Sequence, residues 1–457
     1  MRRNQAPAGV AAGHPETARA GLEVLAAGGS AVDAAVAACL ASCVAETVMT
    51  GLLGGGFALV FDAARGEASV LDFFVAVPGL GAEARARELI QLEVPFGEEL
   101  VHYAIGPASC AVPGVAAGLR ELSRRHGRAP WDTLVEPALA LARAGVAMPE
   151  AHAACLAMLE PVMTYTAAGA ALYAPGGKLL RTGDVLRQPG LVAALQLEPA
   201  ELDEALLALS DERGGALTRE DLARYEPVWR EPAALDYCGT QLVSRAGLAP
   251  IGPVLAGLPR LAGLPPAERV SALVRALASD GPETHTTNLV AVDADGNGCA
   301  ITTSLGLGSG DFLPGLDLHL NSMLGETDLL RGPLEPGERM QSMMAPSAAL
   351  QDGRLVLAGG AAGGTRLPTA LVTVLAGILD EGLGAQEAVD RPRVHPAGAL
   401  LHAEPGVDEG GLAALEREGF AVRRWPVRHH YFGGVSVVST AGAAGDPRRS
   451  GLALALR

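Results

Sequence analysis

The sequence predicts an α/β protein built as a four-layer αββα sandwich with a helix-rich N-terminal part. Helical periodicity dominates residues 115–225, whereas short apolar strands follow Thr286. Strands covered on both faces have this continuous apolar character, since each face packs on helices or on a second sheet. The interior is predicted to be built from small side chains, because 49% of the residues are hydrophobic and only 4% are aromatic.

The first elements are two helices, a glycine-rich turn and a strand. Residues 14–27 form an amphipathic pattern, and Ser30 caps a nearly all-apolar helix over 31–44 that we expect to be buried. The glycines at 54–56 precede a strand over 57–62, whereas a dinucleotide-binding turn follows a strand and opens a helix. We therefore interpret this turn as close backbone packing.

The remaining elements divide the chain at Thr286 into a first part, residues 1–285, and a second part, residues 286–457. The first part contains predicted helices at 116–126, 131–144, 150–159 and 191–209, a capped helix start at Thr218, and short helices with loops over 248–283. The second part contains predicted strands at 288–292, 299–304, 355–358 and 435–439, with a helix over 369–380.

Charge and cysteine usage narrow the possible partners. The formal net charge of -16 argues against nucleic acid, because phosphate binding requires clustered Lys and Arg. The apolar run at 31–44 is too short to span a bilayer, and the N-terminal residues do not have the pattern of a signal peptide, so we expect a cytoplasmic protein without a membrane partner. Six scattered cysteines and the adjacent His429 and His430 lack metal-site spacing, so neither a metal nor a cofactor is expected.

Thr286 and Thr287 carry the strongest chemical signal of the chain. An internal threonine hydroxyl is a weak nucleophile that needs a base within hydrogen-bond reach. If the chain is cut before Thr286, the new α-amine, which titrates at about pH 8, supplies that base beside the hydroxyl. On local sequence alone, two β-formers that open a strand are the simpler interpretation.

A series of motifs in a fixed order extends over most of the chain. They are His14-Pro15-Glu16-Thr17-Ala18, Gly28-Gly29-Ser30-Ala31-Val32-Asp33, Gly54-Gly55-Gly56-Phe57, Val112-Pro113-Gly114, Thr286-Thr287, Asp293-Ala294-Asp295-Gly296-Asn297, Leu320-Asn321-Ser322-Met323, Ser342-Met343-Met344-Ala345-Pro346, Gly363-Gly364-Thr365-Arg366 and Arg391-Pro392-Arg393-Val394-His395. In this order they resemble the γ-glutamyltranspeptidase family.

The resemblance implies an N-terminal nucleophile hydrolase fold made as a precursor that cuts itself between His285 and Thr286. Residues 1–285 then form a large chain and residues 286–457 a small chain, which stay associated. Thr286 is expected to attack the amide of a small γ-glutamyl substrate and to form an acyl-enzyme. Water or an acceptor amine then takes the acyl group.

The resemblance also implies roles for individual residues. The backbone N–H groups of Gly363 and Gly364 are expected to form the oxyanion hole, and Ser304 to steady the nucleophile hydroxyl. The residues expected to bind substrate are Glu326 at the α-amine, Ser342 at the α-carboxylate, and Asn321.

The end of the site that binds glutamate departs from the family pattern. Family members have an arginine after an Asp-Phe-Arg-Glu strand end, where this chain reads Asp72-Phe73-Phe74-Val75; Arg85 or Arg87 is the candidate substitute. Other differences are Met323 for glutamine, Gly306 for asparagine, Asn288 for histidine, and a shorter segment before Thr286. Three functions remain open: a γ-glutamyltransferase or hydrolase, an acylase with a non-glutamyl substrate, and an unprocessed, non-catalytic binding or scaffold protein.

Overall fold

The structure is a computed structural model that describes residues 5–82, 88–96, 99–249, 251–277, 286–326, 329–330, 332–364 and 366–456. The helices are α1 Pro15–Ala26, α2 Ala31–Ala45, α3 Val115–His126, α4 Trp131–Ala144, α5 Glu150–Met158, α6 Glu160–Met163, α7 Ala167–Tyr173, α8 Gly190–Ala194, α9 Pro199–Arg213, α10 Arg219–Arg224, α11 Ile251–Gly257, α12 Pro266–Leu277, α13 Arg366–Leu379, α14 Ala385–Asp390 and α15 Glu409–Arg417. The strands are β1 Gly9–Ala12, β2 Gly55–Asp62, β3 Glu67–Phe73, β4 Ile90–Phe96, β5 Glu99–Ile105, β6 Val146–Ala147, β7 Val185–Leu186, β8 Val228–Arg230, β9 Ala233–Tyr237, β10 Thr240–Ser244, β11 Thr287–Val292, β12 Gly298–Ser304, β13 Phe312–Leu313, β14 Leu318–His319, β15 Ser347–Gln351, β16 Arg354–Ala362, β17 Val394–Ala397, β18 Leu400–Ala403, β19 Ala421–Arg424, β20 Gly434–Ser439, β21 Gly442–Gly445 and β22 Leu452–Ala455.

Two antiparallel sheets form the centre of the fold. The seven-stranded sheet has the order β22-β1-β11-β12-β2-β3-β8, and the six-stranded sheet has the order β21-β20-β16-β15-β10-β9. Helices α1, α2 and α3 pack on the outer face of the first sheet, with α4 against α2, and helices α11, α13 and α14 pack on the outer face of the second. These layers confirm the predicted αββα sandwich.

Alternation along β11 shows how the nucleophile strand fits between its neighbours. Val290 and Val292 pack into the core between the sheets, whereas Leu289 and Ala291 pack against the helix layer. Because the side-chain period of a strand is two, one sequence supplies apolar side chains to both faces. Burial on both sides therefore explains the unbroken apolar run of this strand.

The first two helices agree with the sequence analysis. Ser30 caps α2 through a capping box with Asp33, and every residue of α2 is buried. A helix that is apolar on all sides must lie inside the protein. α2 lies between the first sheet and the neighbouring helices α1, α3 and α4.

Two expectations about the first part were wrong. The predicted helix over 191–209 is split into α8 and α9, because Pro199 stands in the first turn of a new helix that Glu198 caps. The contrast between a helical first part and a strand-rich second part was also too sharp. Six strands before Thr286, β1, β2, β3, β8, β9 and β10, belong to the two central sheets. Their pairing with distant strands has no local signature in sequence.

Among the described residues, no helix combines the length and the apolarity needed to cross a bilayer.

Candidate active site

Thr286 lies directly before β11, where it lines a small cavity. The register pairs Thr287 with Thr303, so its continuation by one residue places Thr286 opposite Ser304. Side chains two residues apart share a face of a strand, and Asn288 faces the second sheet. Thr286 therefore belongs to the inter-sheet face, and it is buried with 2% of its surface exposed.

Asn288 fastens the nucleophile strand to the second sheet. Its side-chain amide donates to the Gly434 carbonyl at 3.1 Å, and its side-chain oxygen accepts from the Ser436 N–H at 3.0 Å. The Ser436 hydroxyl donates to the Asn288 carbonyl at 3.3 Å. A buried amide with a donor and an acceptor both engaged holds β11 at a fixed position against β20.

Ser304 ends β12 on the same face as Thr286. Its Oγ accepts a hydrogen bond from the Gly306 N–H at 2.8 Å. Gly306 has a φ of 68°, and a Cβ at this position would lie 2.0 Å from Oε1 of Glu326. Glu326 is 1% exposed, so its carboxylate fills the space beside the Gly306 backbone. Ser304, predicted to steady the nucleophile hydroxyl, and Glu326, predicted to bind the α-amine of the substrate, therefore both lie beside Gly306.

Gly363 and Gly364 form the turn between β16 and α13. Their φ values of 130° and 59° are positive, a conformation that favours glycine. A Cβ on Gly363 would also lie 2.7 Å from the Gly433 Cα. Within the described residues, neither glycine N–H donates to another group. Ala362, the preceding residue, lines a small cavity together with Thr286.

On the opposite face of β11, Thr287 contacts a buried carboxyl group that the sequence analysis missed. The Thr287 hydroxyl donates to Oε2 of Glu46 at 2.5 Å, and the Thr17 hydroxyl donates to Oε1 at 2.7 Å. Burial raises the pKa of Glu46 to about 7, although these two hydrogen bonds and Arg449 act in the opposite direction. Glu46 is the one Asp, Glu, Lys or Arg between Asp33 and Asp62, a signal that could have identified it.

A buried ionic cluster supports the second sheet near the site. Arg393 donates to Asp446 at 2.6 Å, and Arg448 donates to Asp446 at 3.2 Å and to Glu404 at 2.7 Å. Burial alone would raise the pKa of Asp446, but Arg393 and Arg448 hold it below its usual value. The arginine-rich motif that begins at Arg391 thus has a visible structural role.

Arg449, the residue after Arg448, turns into the cavity beside Thr286. Its Nη1 donates to the Met49 sulfur at 3.2 Å, while Nε and Nη2 have no hydrogen-bond partner among the described residues. Burial lowers its pKa from the ordinary value for arginine. A desolvated guanidinium with two unpaired nitrogen donors among the described residues thus lines the same cavity as Thr286.

The residues predicted to bind substrate have different surroundings. Ser342 Oγ accepts from the Met344 N–H at 3.2 Å, and the Ser342 carbonyl accepts from Arg245, whose guanidinium lies 3.8 Å from the centre of the Phe57 ring. Burial lowers the pKa of Arg245 to about 10, although Asp72 acts in the opposite direction. The structure therefore places a cation, not singled out by the sequence analysis, beside Ser342.

Asn321 binds three backbone segments of the protein. It donates to the carbonyls of Leu53 and Ala111 at 2.8 and 2.9 Å, and it accepts from the N–H groups of Ala111 and Met323. These bonds engage both ends of its amide, which favours a role in holding the loops around the site. Its predicted contact with substrate stays a prediction.

Three predicted positions, His285, Arg85 and Arg87, lie outside the described residues.

Comparisons with known proteins identify several similar chains. A family profile described as Gamma-glutamyltranspeptidase matches residues 17–261 and 265–456. The Acylase ACY 1 proenzyme of Pseudomonas sp. (strain SE83) is 28% identical over 91% of this chain and 87% of its own length. The Glutathione hydrolase proenzyme of Bacillus subtilis (strain 168) is 24% identical over 92% of this chain and 86% of its own length.

A solved structure shares the fold over its full length. The cephalosporin acylase from Bacillus halodurans superposes with a TM-score of 0.82 at 24% identity, covering 100% of this chain and 98% of its own.

Proposed function

This chain belongs to the gamma-glutamyltranspeptidase family, and we propose that it cuts itself between His285 and Thr286 and then uses Thr286 to attack a γ-glutamyl or related acyl amide. The relatives named as proenzymes support such a maturation step. The products are a large chain of residues 1–285 and a small chain of residues 286–457. Both central sheets contain strands from each side of the cut, so the two chains stay associated.

The observation that carries this proposal is the placement of Thr286. It precedes β11, an interior strand of the seven-stranded sheet, lies opposite Ser304, and shares a cavity with Ala362, which leads into Gly363 and Gly364. A nucleophile, a hydroxyl partner and two backbone N–H groups are the parts that acyl transfer needs.

In maturation, the Thr286 hydroxyl attacks the His285 carbonyl carbon. The peptide C–N bond breaks, the α-amine of Thr286 takes up the hydroxyl proton, and the two parts are joined by an ester. Water then hydrolyses the ester, which leaves a carboxylate on His285 and restores the Thr286 hydroxyl. This reaction converts an internal threonine into one that carries its own base.

In turnover, the α-amine of Thr286 accepts the proton of its own hydroxyl while Oγ attacks the substrate carbonyl. The N–H groups of Gly363 and Gly364 donate to the oxygen that becomes negative in the tetrahedral intermediate. The α-ammonium then protonates the leaving amine, and an acyl ester remains on Thr286. Water or an acceptor amine attacks this ester by the same route in reverse.

The maturation step is tested by denaturing mass analysis of the purified protein. The wild type is expected to give two fragments, one of which begins at Thr286, whereas Thr286→Ala is expected to stay intact. A folded wild type that stays intact through prolonged incubation would refute maturation and support the non-catalytic alternative.

A second candidate substrate class is an acyl group that carries a distal carboxylate but is not glutamyl. Arg245 lies beside Ser342, where the resemblance places carboxylate binding, while Phe74 stacks on Phe57 at a ring distance of 5.4 Å. A desolvated arginine favours a carboxylate partner, and stacked rings favour an apolar chain. Glu326 instead favours a substrate with an α-amine.

Three amides of the same leaving group separate these substrates. A γ-glutamyl amide has both the α-amine and the carboxylate, a glutaryl amide has the carboxylate alone, and a butanoyl amide has neither. If γ-glutamyl is the substrate, Glu326→Gln raises KM for the γ-glutamyl amide and leaves the other two unchanged. Arg245→Leu is expected to raise KM for both carboxylates and to spare the butanoyl amide.

Equal turnover of the glutaryl and γ-glutamyl amides would instead identify an acylase. Release of any amine by Thr286→Ala at the wild-type rate would remove Thr286 from the reaction.

A further inference from the structure

Glu46 and Thr286 border the same small cavity from different layers of the fold. Glu46 follows α2 in the helix layer, and Thr286 precedes β11 in the adjacent sheet. The cavity has a volume of about 10 Å³, room for roughly one water molecule. Asn288 and Ala362 also line it, so this cavity is the space at the nucleophile itself, where a group of the size of an amine can lie.

The hydroxyl of Thr287 connects the carboxyl group to the nucleophile. It donates to Glu46 at 2.5 Å, and Thr287 is joined to Thr286 by one peptide bond. Gly13 packs against this contact: a Cβ at Gly13 would lie 3.0 Å from Glu46 Oε2 and 3.1 Å from the Thr287 hydroxyl. The surrounding backbone thus leaves little space for Glu46 to move away from Thr287.

Cleavage of the chain creates an amine beside this cavity. Cleavage converts the Thr286 peptide nitrogen into a free α-amine, and the cavity bordered by Thr286 accommodates about one such group. Glu46 contributes an acceptor to the cavity, which an ammonium or amine group can donate to.

We propose that Glu46 is a positioning residue that holds the α-amine of mature Thr286 and determines the pH at which this amine acts as the base. The inference rests on the proposed self-cleavage, because the amine exists only after it. A carboxylate beside an amine favours the ammonium form, so Glu46 moves the titration of the amine to higher pH. The two groups titrate as a coupled pair.

Other charged and titratable groups surround Glu46. Arg449 lies between β21 and β22, and its positive charge opposes the effect of the Glu46 carboxylate on the pKa of the amine. Asp446 is paired with Arg393 and Arg448. His152 on α5 and His14 before α1 are held neutral by burial, which lowers the pKa of His152 to about 4 and of His14 to about 2. A hydrogen bond with Cys39 and then burial raise the pKa of Cys43, so this thiol is neutral as well.

The test is the pH profile of kcat/KM for the cleaved enzyme, with the cleaved fraction measured by mass analysis. The ascending limb requires the neutral amine. In Glu46→Gln its midpoint is expected to move to lower pH by about one unit. Thr287→Val keeps the Glu46 carboxyl group but removes the hydrogen bond that it accepts from Thr287. The pKa of Glu46 then rises, and the limb is expected to move to lower pH by less than in Glu46→Gln.

Thr50→Val is the matched control, because the Thr50 hydroxyl bonds to Thr303 at 2.8 Å in the same helix-facing layer, whereas the bond between Thr50 and Glu46 joins the Thr50 N–H to the Glu46 backbone carbonyl and is kept in the variant. It is expected to leave the limb at the wild-type position. If Glu46→Gln does not fold or cleave, Thr287→Val decides. If the ascending limb of Glu46→Gln, or of Thr287→Val where that variant has to be used, coincides with the limb of the wild type, the role of Glu46 is overturned. A wild type that stays uncleaved would overturn the proposed function itself.

Discussion

Replacing Asp446 by Asn is expected to destabilise the protein strongly. The Asp446 carboxylate accepts from Arg393 Nη2 at 2.6 Å, from Arg448 Nη1 at 3.2 Å, and from the N–H groups of Val435 and Arg448 at 3.1 and 3.0 Å. The side chains of Arg393 and Asp446 are 0% and 1% exposed. Asn keeps one acceptor but turns an NH₂ group toward these donors, and it leaves one more positive charge than negative in the cluster.

The magnitude follows from this burial. Removing one partner of a buried ion pair costs about 3–5 kcal/mol, because the remaining charge stays desolvated. Glu409→Gln is the matched control: Glu409 accepts from Arg424 at 2.9 Å, but their side chains are 69% and 42% exposed. An exposed pair contributes about 0–1 kcal/mol.

Both substitutions are measured in a Thr286→Ala background, so that one uncut chain unfolds in every sample. The assay is equilibrium unfolding in urea, with refolding confirmed and slopes compared. The depressed pKa of Asp446 adds a second test. The contribution of Asp446 to the free energy of unfolding is fully present at a pH above the ordinary pKa of a carboxyl group, and it is lost as the pH falls through the pKa in the folded state. The stability of Asp446→Asn should therefore approach that of its parent in acid. A loss equal to that of Glu409→Gln would refute this reasoning.

The remaining predictions concern the site and its pH dependence. Ser304→Ala should lower kcat/KM roughly tenfold through the loss of one hydrogen bond, while Ser304→Thr retains activity. Gly306→Ala places a methyl 2.0 Å from Glu326 Oε1, so KM for the γ-glutamyl amide should rise, and an unchanged KM would count against Glu326 as an amine contact. Asn288→Ala should reduce stability by about 1–3 kcal/mol in urea unfolding, because it leaves partners on β20 unsatisfied. Glu46 has a raised folded-state pKa of about 7. Its contribution to the free energy of unfolding is therefore present at a pH below the ordinary pKa of glutamate and is lost as the pH rises through 7. Glu46→Gln should therefore gain up to about 3 kcal/mol on the wild type between about pH 5 and pH 9, and a constant difference would contradict the shift.

Local sequence patterns were sufficient to predict a helix or strand where its formation depends on residues that are neighbours in sequence. Ser30 and the apolar run after it predicted α2, because capping and helical burial are properties of a few successive residues. The strand that follows Thr286 was predicted in the same way. The helix over 191–209 failed because the effect of Pro199 as a first-turn residue was overlooked.

Substrate-site residues were harder to predict, because they meet only after folding. Arg245 follows β10 and reaches Ser342, 97 residues later in the chain. Spacing along the chain carries no information about such a contact. The same applies to Asn288, whose partners Gly434 and Ser436 lie on a strand of the other sheet.

The sequence by itself determined the order of the motifs, the strand that Thr286 opens and the chemistry of a threonine that can acquire an α-amine. Only the tertiary structure decided what surrounds that threonine. Glu46 and Thr287 are 241 positions apart, yet they share a hydrogen bond because α2 packs against the outer face of β11. Alternation along a strand directs neighbouring residues to opposite layers, so Thr286 faces the second sheet while Thr287 faces a buried carboxyl group.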